Sequence, residues 1–377
     1  MLKLLHTADW QIGKLYGQFE PDDAALLAEA RFAAVERLAQ LASVQGVHMV
    51  LVAGDVFDAQ GVAERTIHRL FNCLRGYVGP WVMIPGNHDA ALSESVWTRA
   101  ARLGAIPPNV TVCLAPGAVQ FDALRVAVLA APLTQRITHS DLTSAFAATD
   151  SPAGFHRIGL AHGSVQGILA EGIDSSNPIA AGRAAEARLD YLALGDWHGC
   201  RQVDARTWYS GTPETDRFRA NDSGRALIVE IAAPGAEPVV TPVVTGQYRW
   251  LNERATLQVA SDIDVLLERL ATFGHVDVVQ LMLDGETDLA GHARLRDALA
   301  QTQGRVRSFT ADLSALRIAP TDDDIDALAA DGYLGDVIAE LRTLQGSGDG
   351  KAETARDALV LLAGLLRDRC TSDGGAS

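Results

Sequence analysis

The sequence predicts an α/β protein with at least one mixed β-sheet, followed by a smaller α+β domain. Three observations support this prediction. Over the first ~245 residues, apolar runs of strand length alternate with stretches of helical spacing. Clusters of Asp, Asn and His stand directly after five of those apolar runs. After Trp250 the predicted elements follow the order strand, helix, strand, helix, strand.

The elements of the first part are predicted from hydrophobic periodicity and from the turn residues at their ends. Ala and Leu at helical spacing predict helices over Asp22–Ser43 and Ala63–Tyr77. Short apolar runs predict strands at Lys3–Leu5, His48–Val52, Pro80–Ile84, Val110–Leu114, Ala118–Phe121, Leu124–Leu129, Arg157–Ala161 and Tyr191–Leu194.

The second part is predicted in the same way. Strands are predicted at Arg254–Ala260, Val276–Leu283 and Arg305–Leu313, and helices at Ile263–Thr272 and Leu289–Gln301. An acidic turn segment, Pro320 to Asp326, comes next. Two amphipathic helices, Leu334–Leu344 and Ala352–Arg369, follow, with the Gly-rich linker Gln345 to Gly350 between them. The last residues, Thr371–Ser377, are expected to be disordered.

Composition excludes several classes of protein. The chain has 377 residues, of which 48% are hydrophobic and 21% charged, so disorder of the whole chain is excluded. No apolar run approaches the ~18 residues of a membrane span, and the first residues are typical of a strand and not of a signal peptide. The widely spaced cysteines (Cys73, Cys113, Cys200 and Cys370) argue against a zinc knuckle and a disulfide scaffold. We therefore expect a cytoplasmic protein without a membrane partner.

The charge of the chain is negative and unevenly distributed. The formal net charge is −15. Residues 251–377 hold 22 acidic against 12 basic residues, whereas residues 1–250 hold 25 against 20. This balance argues against a protein that coats nucleic acid by charge, and a polyanion is expected to approach the first part. Metal-binding carboxylates would account for some of the negative charge, since bound cations would cancel it.

The polar clusters after five predicted strands carry the chemistry. Ligands in open α/β sheets bind outside the carboxyl ends of the strands. Carboxylate, amide and imidazole groups together suit Mn²⁺ or Fe²⁺, and also Zn²⁺. Two such ions about 3.5–4 Å apart would activate a water and hold a phosphate oxygen. The clusters are His6-Thr7-Ala8-Asp9-Trp10-Gln11, Gly54-Asp55-Val56-Phe57-Asp58, Gly86-Asn87-His88-Asp89, Ala161-His162-Gly163 and Gly195-Asp196-Trp197-His198.

Each cluster also has a purely structural interpretation. Asp9 can be a helix cap or a turn residue, and Gly54-Asp55 an ordinary strand-to-loop turn. Asn87 and His88 can serve only as a turn, and a lone histidine such as His162 is usually a hydrogen-bonded core residue. The joint placement of five such clusters at strand ends favours the metal site over these alternatives.

The same residues show a family resemblance. Gly54-Asp55, Gly86-Asn87-His88-Asp89, His162 and Gly195-Asp196-Trp197-His198 resemble the motifs of the calcineurin-like metallophosphoesterases. Within them the chain is most similar to the SbcD-type DNA-repair exonucleases, over about residues 1–250. This resemblance implies a four-layer αββα sandwich at residues 1–248. It also implies an α+β cap domain at 249–319, and we assign 320–377 to a helical extension that can bind a partner.

The resemblance implies a role for each matching residue. Asp9 and His198 would bind a first divalent metal ion, Asn87 and His162 a second, and Asp55 both. His88 would act on the phosphate without binding metal, and Asp89 would orient His88. The family usually has histidine where this chain has Gln11 and Asp196. Both can still bind metal, and the resulting oxygen-rich site favours Mn²⁺, with Mg²⁺ or Fe²⁺ as alternatives.

The function implied is a metal-dependent DNA nuclease. The resemblance further implies a partner ATPase of the SMC-like SbcC type and a homodimer, with Asp22–Ser43 and Ala63–Tyr77 as candidate dimer surfaces. Trp10 and Trp197 can stack on a base or pack in the core, and Arg136 and Arg217 can contact phosphates or solvent. The alternatives are a phosphodiesterase for small molecules or nucleotides, which the acidic charge favours, and an inactive scaffold subunit of an ATPase complex, which Gln11 and Asp196 favour.

Overall fold

The computed structural model describes residues 1–167, 176–319, 321, 333–346 and 350–373. The chain divides into two compact units, Met1–Arg249 and Trp250–Ser377. Among the described residues, no helix combines the length and the apolar character that are needed to cross a membrane.

The first unit contains fourteen strands and four α-helices in the part of the chain that the structure describes. The helices are α1 (Pro21–Val44), α2 (Glu64–Cys73), α3 (Val96–Arg102) and α4 (Arg183–Glu186). The strands are β1 (Leu2–Thr7), β2 (Met49–Ala53), β3 (Trp81–Ile84), β4 (Val110–Val112), β5 (Gly117–Phe121), β6 (Val126–Ala131), β7 (His156–His162), β8 (Ser164–Val165), β9 (Pro178–Ile179), β10 (Tyr191–Gly195), β11 (Arg201–Gln202), β12 (Thr207–Tyr209), β13 (Arg225–Ile231) and β14 (Val239–Val244).

Two six-stranded mixed sheets form the centre of this unit. The first has the order β14-β13-β1-β2-β3-β4, and the second β11-β12-β10-β7-β6-β5. Strands β1 to β4 run parallel to one another, as do β6, β7, β10 and β12, so their carboxyl ends point the same way within each sheet. Antiparallel strands close the edges, for example β13 against β1. The predicted mixed sheet is confirmed.

Alternating side chains of the first sheet pack on two different layers. Leu4 and Leu51 point toward the second sheet and join Val128 and Leu160 in one apolar core. The intervening residues, such as Leu5, pack on helices α1, α2 and α3 in a second core. Since strand side chains alternate between faces, both faces of this sheet are covered. A third core lies on the outer face of the second sheet, which confirms the αββα layering.

The second unit is an α+β domain followed by a helical hairpin. Strands β15 (Arg249–Leu257), β16 (Asp277–Thr287) and β17 (Ser308–Ile318) form its sheet. Helices α5 (Ala260–Ala271) and α6 (Leu289–Gln303) share a core with that sheet. Helices α7 (Tyr333–Gln345) and α8 (Ala352–Asp373) pack through Ile338 and Leu359.

Several boundaries differ from the predictions for local reasons. Strand β6 begins at Val126 because Arg125 adopts a left-handed φ of 53° after a 3₁₀ turn. Helix α5 begins at Ala260, where a strand was predicted to end, because the Asp262 carboxylate accepts hydrogen bonds from the backbone N–H groups of Gln258 and Val259. Helix α2 ends at Cys73 and continues as a 3₁₀ turn.

Other predictions at the C-terminal end and in the first unit also need correction. Helix α8 continues to Asp373, so the predicted disorder of Thr371–Ser377 is wrong at its start, and residues 374–377 lie outside the described part. Most of the acidic segment 320–326 and of the linker 345–350 also lies outside it. Helix α3, strand β13 and strand β14 were not predicted. At seven residues, α3 is too short to show a helical period.

His6 joins the two sheets inside the first unit. Its side chain is fully buried on β1, with Nδ1 2.9 Å from Tyr191 Oη and Nε2 3.2 Å from the carbonyl oxygen of Leu194, both on β10. A neutral ring satisfies both contacts when Nε2–H donates to Leu194 and Tyr191 donates to Nδ1. Burial lowers the pKa of His6 to about 3, so folding holds the ring uncharged.

We therefore predict that His6 makes stability depend on pH. The lowered pKa means that the unfolded chain takes up a proton below pH ~6.5 and the folded chain does not, so stability is present above that pH and is lost as pH falls. Between pH 7 and pH 5 this amounts to about 2 kcal/mol. Urea unfolding of the metal-free proteins measures the free energy of unfolding at pH 7 and at pH 5. Between these two pH values it should fall by this amount more in the wild type than in His6→Gln. Equal losses would contradict the assignment.

Candidate metal centre

The predicted site residues meet at the carboxyl ends of five central strands. Strands β1, β2 and β3 belong to the first sheet, and β7 and β10 to the second. Because parallel strands end at a common edge, the loops that follow them converge. These loops and strand ends carry Asp9, Gln11, Asp55, Asn87, His88, Asp89, His162, Asp196 and His198.

The backbone at this edge is left-handed at five predicted ligands. The φ angles are 54° at Asp9, 43° at Gln11, 51° at Asp55, 103° at Asp196 and 59° at His198. In the described part of the chain, nine residues other than glycine have a positive φ. Five of these nine are predicted ligands, so this backbone conformation is concentrated at the site. Non-glycine residues adopt this region at an energetic cost, and such residues concentrate at functional sites.

One group of ligands surrounds His162. Its Nε2 lies 3.0 Å from Asn87 Oδ1, 3.6 Å from Asp55 Oδ1 and 3.7 Å from Asp196 Oδ1. Its Nδ1–H donates to the carbonyl oxygen of Ala53 at 2.8 Å, so Nε2 is the ring nitrogen that faces the other three. We call Asp55, Asn87, His162 and Asp196 the imidazole-side group.

A second group lies beside Gln11. The amide Nε2 of Gln11 is 3.1 Å from His198 Nε2 and 3.5 Å from Asp55 Oδ2, and turning the amide by 180° presents Oε1 in the same place. Asp9 joins this group, since its Oδ2 accepts a hydrogen bond from the backbone N–H of His198 at 3.3 Å. We call Asp9, Gln11, Asp55 and His198 the amide-side group.

The two oxygens of Asp55 face different groups. Oδ1 lies on the imidazole side, where it also accepts the backbone N–H of His88 at 2.9 Å, and Oδ2 lies on the amide side. A carboxylate in this position can bridge two cations. The structure thus brings together every predicted ligand, with Asp55 between the two groups.

The electrostatics of the centre favour a cation. Asp9, Asp55 and His162 each offer a ligand atom within 4.8 Å of the others, and all three are buried. Burial opposes a charge on His162, but Asp55, Asp9 and Asp196 outweigh it and raise the pKa of His162 to about 9. Burial raises the pKa of Asp9 as well. Oxygen donors with imidazole fit a divalent ion such as Mn²⁺, Mg²⁺ or Fe²⁺.

His88 lies at the open side of the centre. Its side chain is 33% exposed, and its Nε2 is 4.0 Å from Asp55 Oδ2. Its Nδ1–H donates to the backbone carbonyl of Asp58 at 2.7 Å, which fixes the ring.

The expectation that Asp89 orients His88 needs correction, because the Asp89 carboxylate accepts hydrogen bonds from the backbone N–H groups of Gly86, Val56 and Phe57. Asp89 therefore shapes the loops that present Asp55 and His88. Burial, together with Asp55, raises the pKa of Asp89 to about 7.

Arg217 was predicted as a candidate phosphate contact, but the charged contacts around His198 were not predicted. Asp216 Oδ2 is 3.4 Å from His198 Nδ1 and also pairs with Lys14. Arg217 Nε donates to Asp216 Oδ1 at 3.0 Å, and its Nη2 lies 2.9 Å from the same Nδ1 atom of His198. A carboxylate on the outer nitrogen of a ligand histidine orients it toward a metal. Asp216 lies 18 residues after His198, and no spacing rule connects the two.

The predicted substrate contacts have different environments. Trp10 is 1% exposed, donates to Thr7 Oγ1 and packs edge-on against Trp81, so it is a core residue with no surface for a base. Trp197 is half-buried, with the guanidinium groups of Arg201 and Arg219 5.3 Å and 4.7 Å from its ring centroid. Arg136 is exposed on the loop after β6.

Two glycines allow the ligands to approach one another. A Cβ at Gly86 would lie 2.2 Å from Asp55 Oδ1, and one at Gly54 would lie 2.3 Å from His162 Nδ1, where φ is also +89°. No side chain fits at these distances.

We predict that Gly86→Ala weakens metal binding at least tenfold, because the new methyl group must displace the Asp55 carboxylate from its place between the two groups. Gly61→Ala is the matched control, since a Cβ there meets no atom within 4 Å. Isothermal titration calorimetry measures the affinity of both variants for Mn²⁺. Wild-type affinity in Gly86→Ala would show that Asp55 is not a ligand.

Three similarities to known proteins were found. A stretch of 128 residues is 30% identical to the SbcD subunit of the nuclease SbcCD from Rhodobacter capsulatus, and it covers 32% of this chain but only 30% of that protein. The solved structure of TT1561 from Thermus thermophilus has a TM-score of 0.42 at 13% identity, over 65% of this chain and 99% of that one. Residues 2–164 match the family model of the calcineurin-like phosphoesterases. This match confirms the resemblance seen in the motifs: residues 2–164 match the calcineurin-like phosphoesterases, a family of metal-dependent hydrolases.

Proposed function

We propose that this chain is a metal-dependent nuclease that hydrolyses phosphodiester bonds of DNA. The observation that carries the proposal is the position of Asp55 between two complete ligand groups, with His88 beside it. The partial similarity to the SbcD subunit of a nuclease supports DNA as the substrate. The coarser function, phosphoester hydrolysis with divalent metals, follows from the family alone.

The residues would divide the work as follows. The imidazole-side group would hold one divalent ion and the amide-side group another, with Mn²⁺ favoured by the oxygen-rich ligands. Divalent ions bound here would supply charge neutralisation for the phosphate and an activated water. His88 would contribute from its Nε2, which faces the open side because Nδ1 is held by Asp58. When both ring nitrogens carry a proton, Nε2 can donate a hydrogen bond to a phosphoryl oxygen or a proton to the leaving oxygen.

Charge near the centre supports a polyanionic substrate. Arg217, Arg219 and Arg201 lie around Trp197 and His198 on an otherwise acidic chain. Arginine with a partly exposed aromatic ring suits phosphates and bases together. Steering by these side chains would offset the repulsion that a net charge of −15 imposes on DNA.

We propose that the chain acts together with an SMC-like ATPase of the SbcC type. We also propose that two copies of the chain form a homodimer, which places two metal centres on one DNA. Analytical ultracentrifugation of the purified chain, with and without DNA, tests the dimer. A monomer at all concentrations would contradict it.

We predict that the purified chain cleaves labelled linear DNA with Mn²⁺ and that His88→Ala lowers the rate at least 100-fold, because general acid catalysis contributes about 10²–10⁴-fold. His275→Ala, at an exposed histidine before β16, is the matched control and should keep wild-type activity. Hydrolysis of a generic phosphodiester without DNA cleavage would favour the small-molecule enzyme. Inactivity of a folded protein with every metal would favour the scaffold.

We also predict that Gln11→His tightens the ion on the amide side by about tenfold or more, because imidazole is a stronger ligand than a neutral amide oxygen. Equilibrium dialysis against Mn²⁺ measures the weaker dissociation constant, and the tighter one serves as the internal control. An unchanged weaker constant would show that Gln11 does not face a metal.

A further inference from the structure

Helix α1 carries a charged side chain on its apolar face. Arg31 stands four residues after Leu27 and four before Val35, both of which are buried. Arg31 is itself only 2% exposed. A guanidinium is expensive to bury, and a leucine at this position would serve helix packing alone. We therefore expect the buried guanidinium to have a role that an apolar side chain could not fill.

We propose that Arg31 is a positioning residue that holds the amide-side group in shape for metal binding. This inference rests on the proposed function, because it assigns the two ligand groups to two ions. It goes beyond that function by making one ion depend on a residue that touches neither ion nor substrate.

Every N–H of the Arg31 guanidinium has a partner. Nε donates to the carbonyl oxygen of Trp10 at 2.7 Å. The Nη1 atom donates to Tyr16 Oη and to the Glu214 carbonyl, both at 3.2 Å. The Nη2 atom donates to the Asp9 carbonyl and to Thr212 Oγ1, both at 3.0 Å. Five acceptors, three of them backbone carbonyls, satisfy the five donors and make this a clamp with a defined geometry.

The clamp joins the two segments that build the amide-side group. One segment follows β1 and carries Asp9 and Gln11, whose left-handed backbone has to be held by its surroundings. The other follows β12 and reaches His198 through a hydrogen bond from the Thr212 N–H to the His198 carbonyl, at 3.1 Å. It also carries Asp216, which contacts His198 Nδ1.

The imidazole-side group has supports that do not involve Arg31, although the Asp196 N–H also donates to the Asp9 carboxylate at 3.0 Å. His162 is fixed by the Ala53 carbonyl, and Asp196 accepts a hydrogen bond from Ser164 Oγ at 3.1 Å. Loss of Arg31 is therefore expected to act on one ion and to leave the other in place.

The test is Mn²⁺ binding by the full chain, measured by equilibrium dialysis, with electron paramagnetic resonance of the coupled Mn²⁺ pair as the spectroscopic readout. Arg31→Met should bind the more weakly held Mn²⁺ ion, on the amide side, at least tenfold less tightly and should lose the signal of the coupled pair. The more tightly held ion should keep its wild-type affinity. Arg157→Met is the matched control. Its guanidinium also makes five hydrogen bonds, but it sits at the other end of β7, about 16 Å from His162 at the strand rise.

The outcomes separate a positioning role from a structural one. Both variants should lose thermal stability, but only Arg31→Met should change the metal count. Two ions bound with wild-type affinity by Arg31→Met would overturn the proposal, and if that variant does not fold, the same result with Arg31→Lys would do so. A wild-type protein that takes up a single ion would instead contradict the two-ion centre of the proposed function.

Discussion

The structure depends on buried negative charge at the carboxyl edge of two sheets. Asp9 and Asp55 are almost completely buried, and Asp196 lies beside them around His162. Carboxylates withdrawn from water are costly unless a cation or hydrogen bonds compensate them. Backbone N–H groups supply part of the compensation, and the raised pKa of His162 shows that positive charge is still favoured there. The loops, the glycines and the surrounding charged side chains hold these carboxylates and His162 close together.

Each sheet supplies part of the centre, so the chemistry requires the closed sandwich. The first sheet presents Asp9, Asp55 and Asn87, and the second presents His162 and His198. The apolar core between the sheets and the buried His6 contacts set their separation. Left-handed backbone at the strand ends then turns the carboxylates inward, at a cost that only a well-packed framework can offset.

The sequence predicted the parts of the fold and site that depend on local patterns. Apolar runs located the central strands, and polar residues directly after them located the ligands, because a strand end fixes where the next residues point. Interactions between residues distant in sequence were not predictable. Asp216 acts on His198 through space, and Asp89 binds backbone amides of a loop 33 residues earlier. Arg31 had one local signal, a charge on the apolar face of a helix, and its partners lie as far away as Glu214.

The central claim is that two cations share the Asp55 carboxylate between the imidazole-side and amide-side groups. A crystal of the protein grown with Mn²⁺ and measured at the manganese absorption edge tests it most directly. The account predicts two anomalous peaks about 3.5–4 Å apart, one on each side of Asp55. Peaks that avoid Asp55, or none between these residues when Mn²⁺ is abundant, would contradict it.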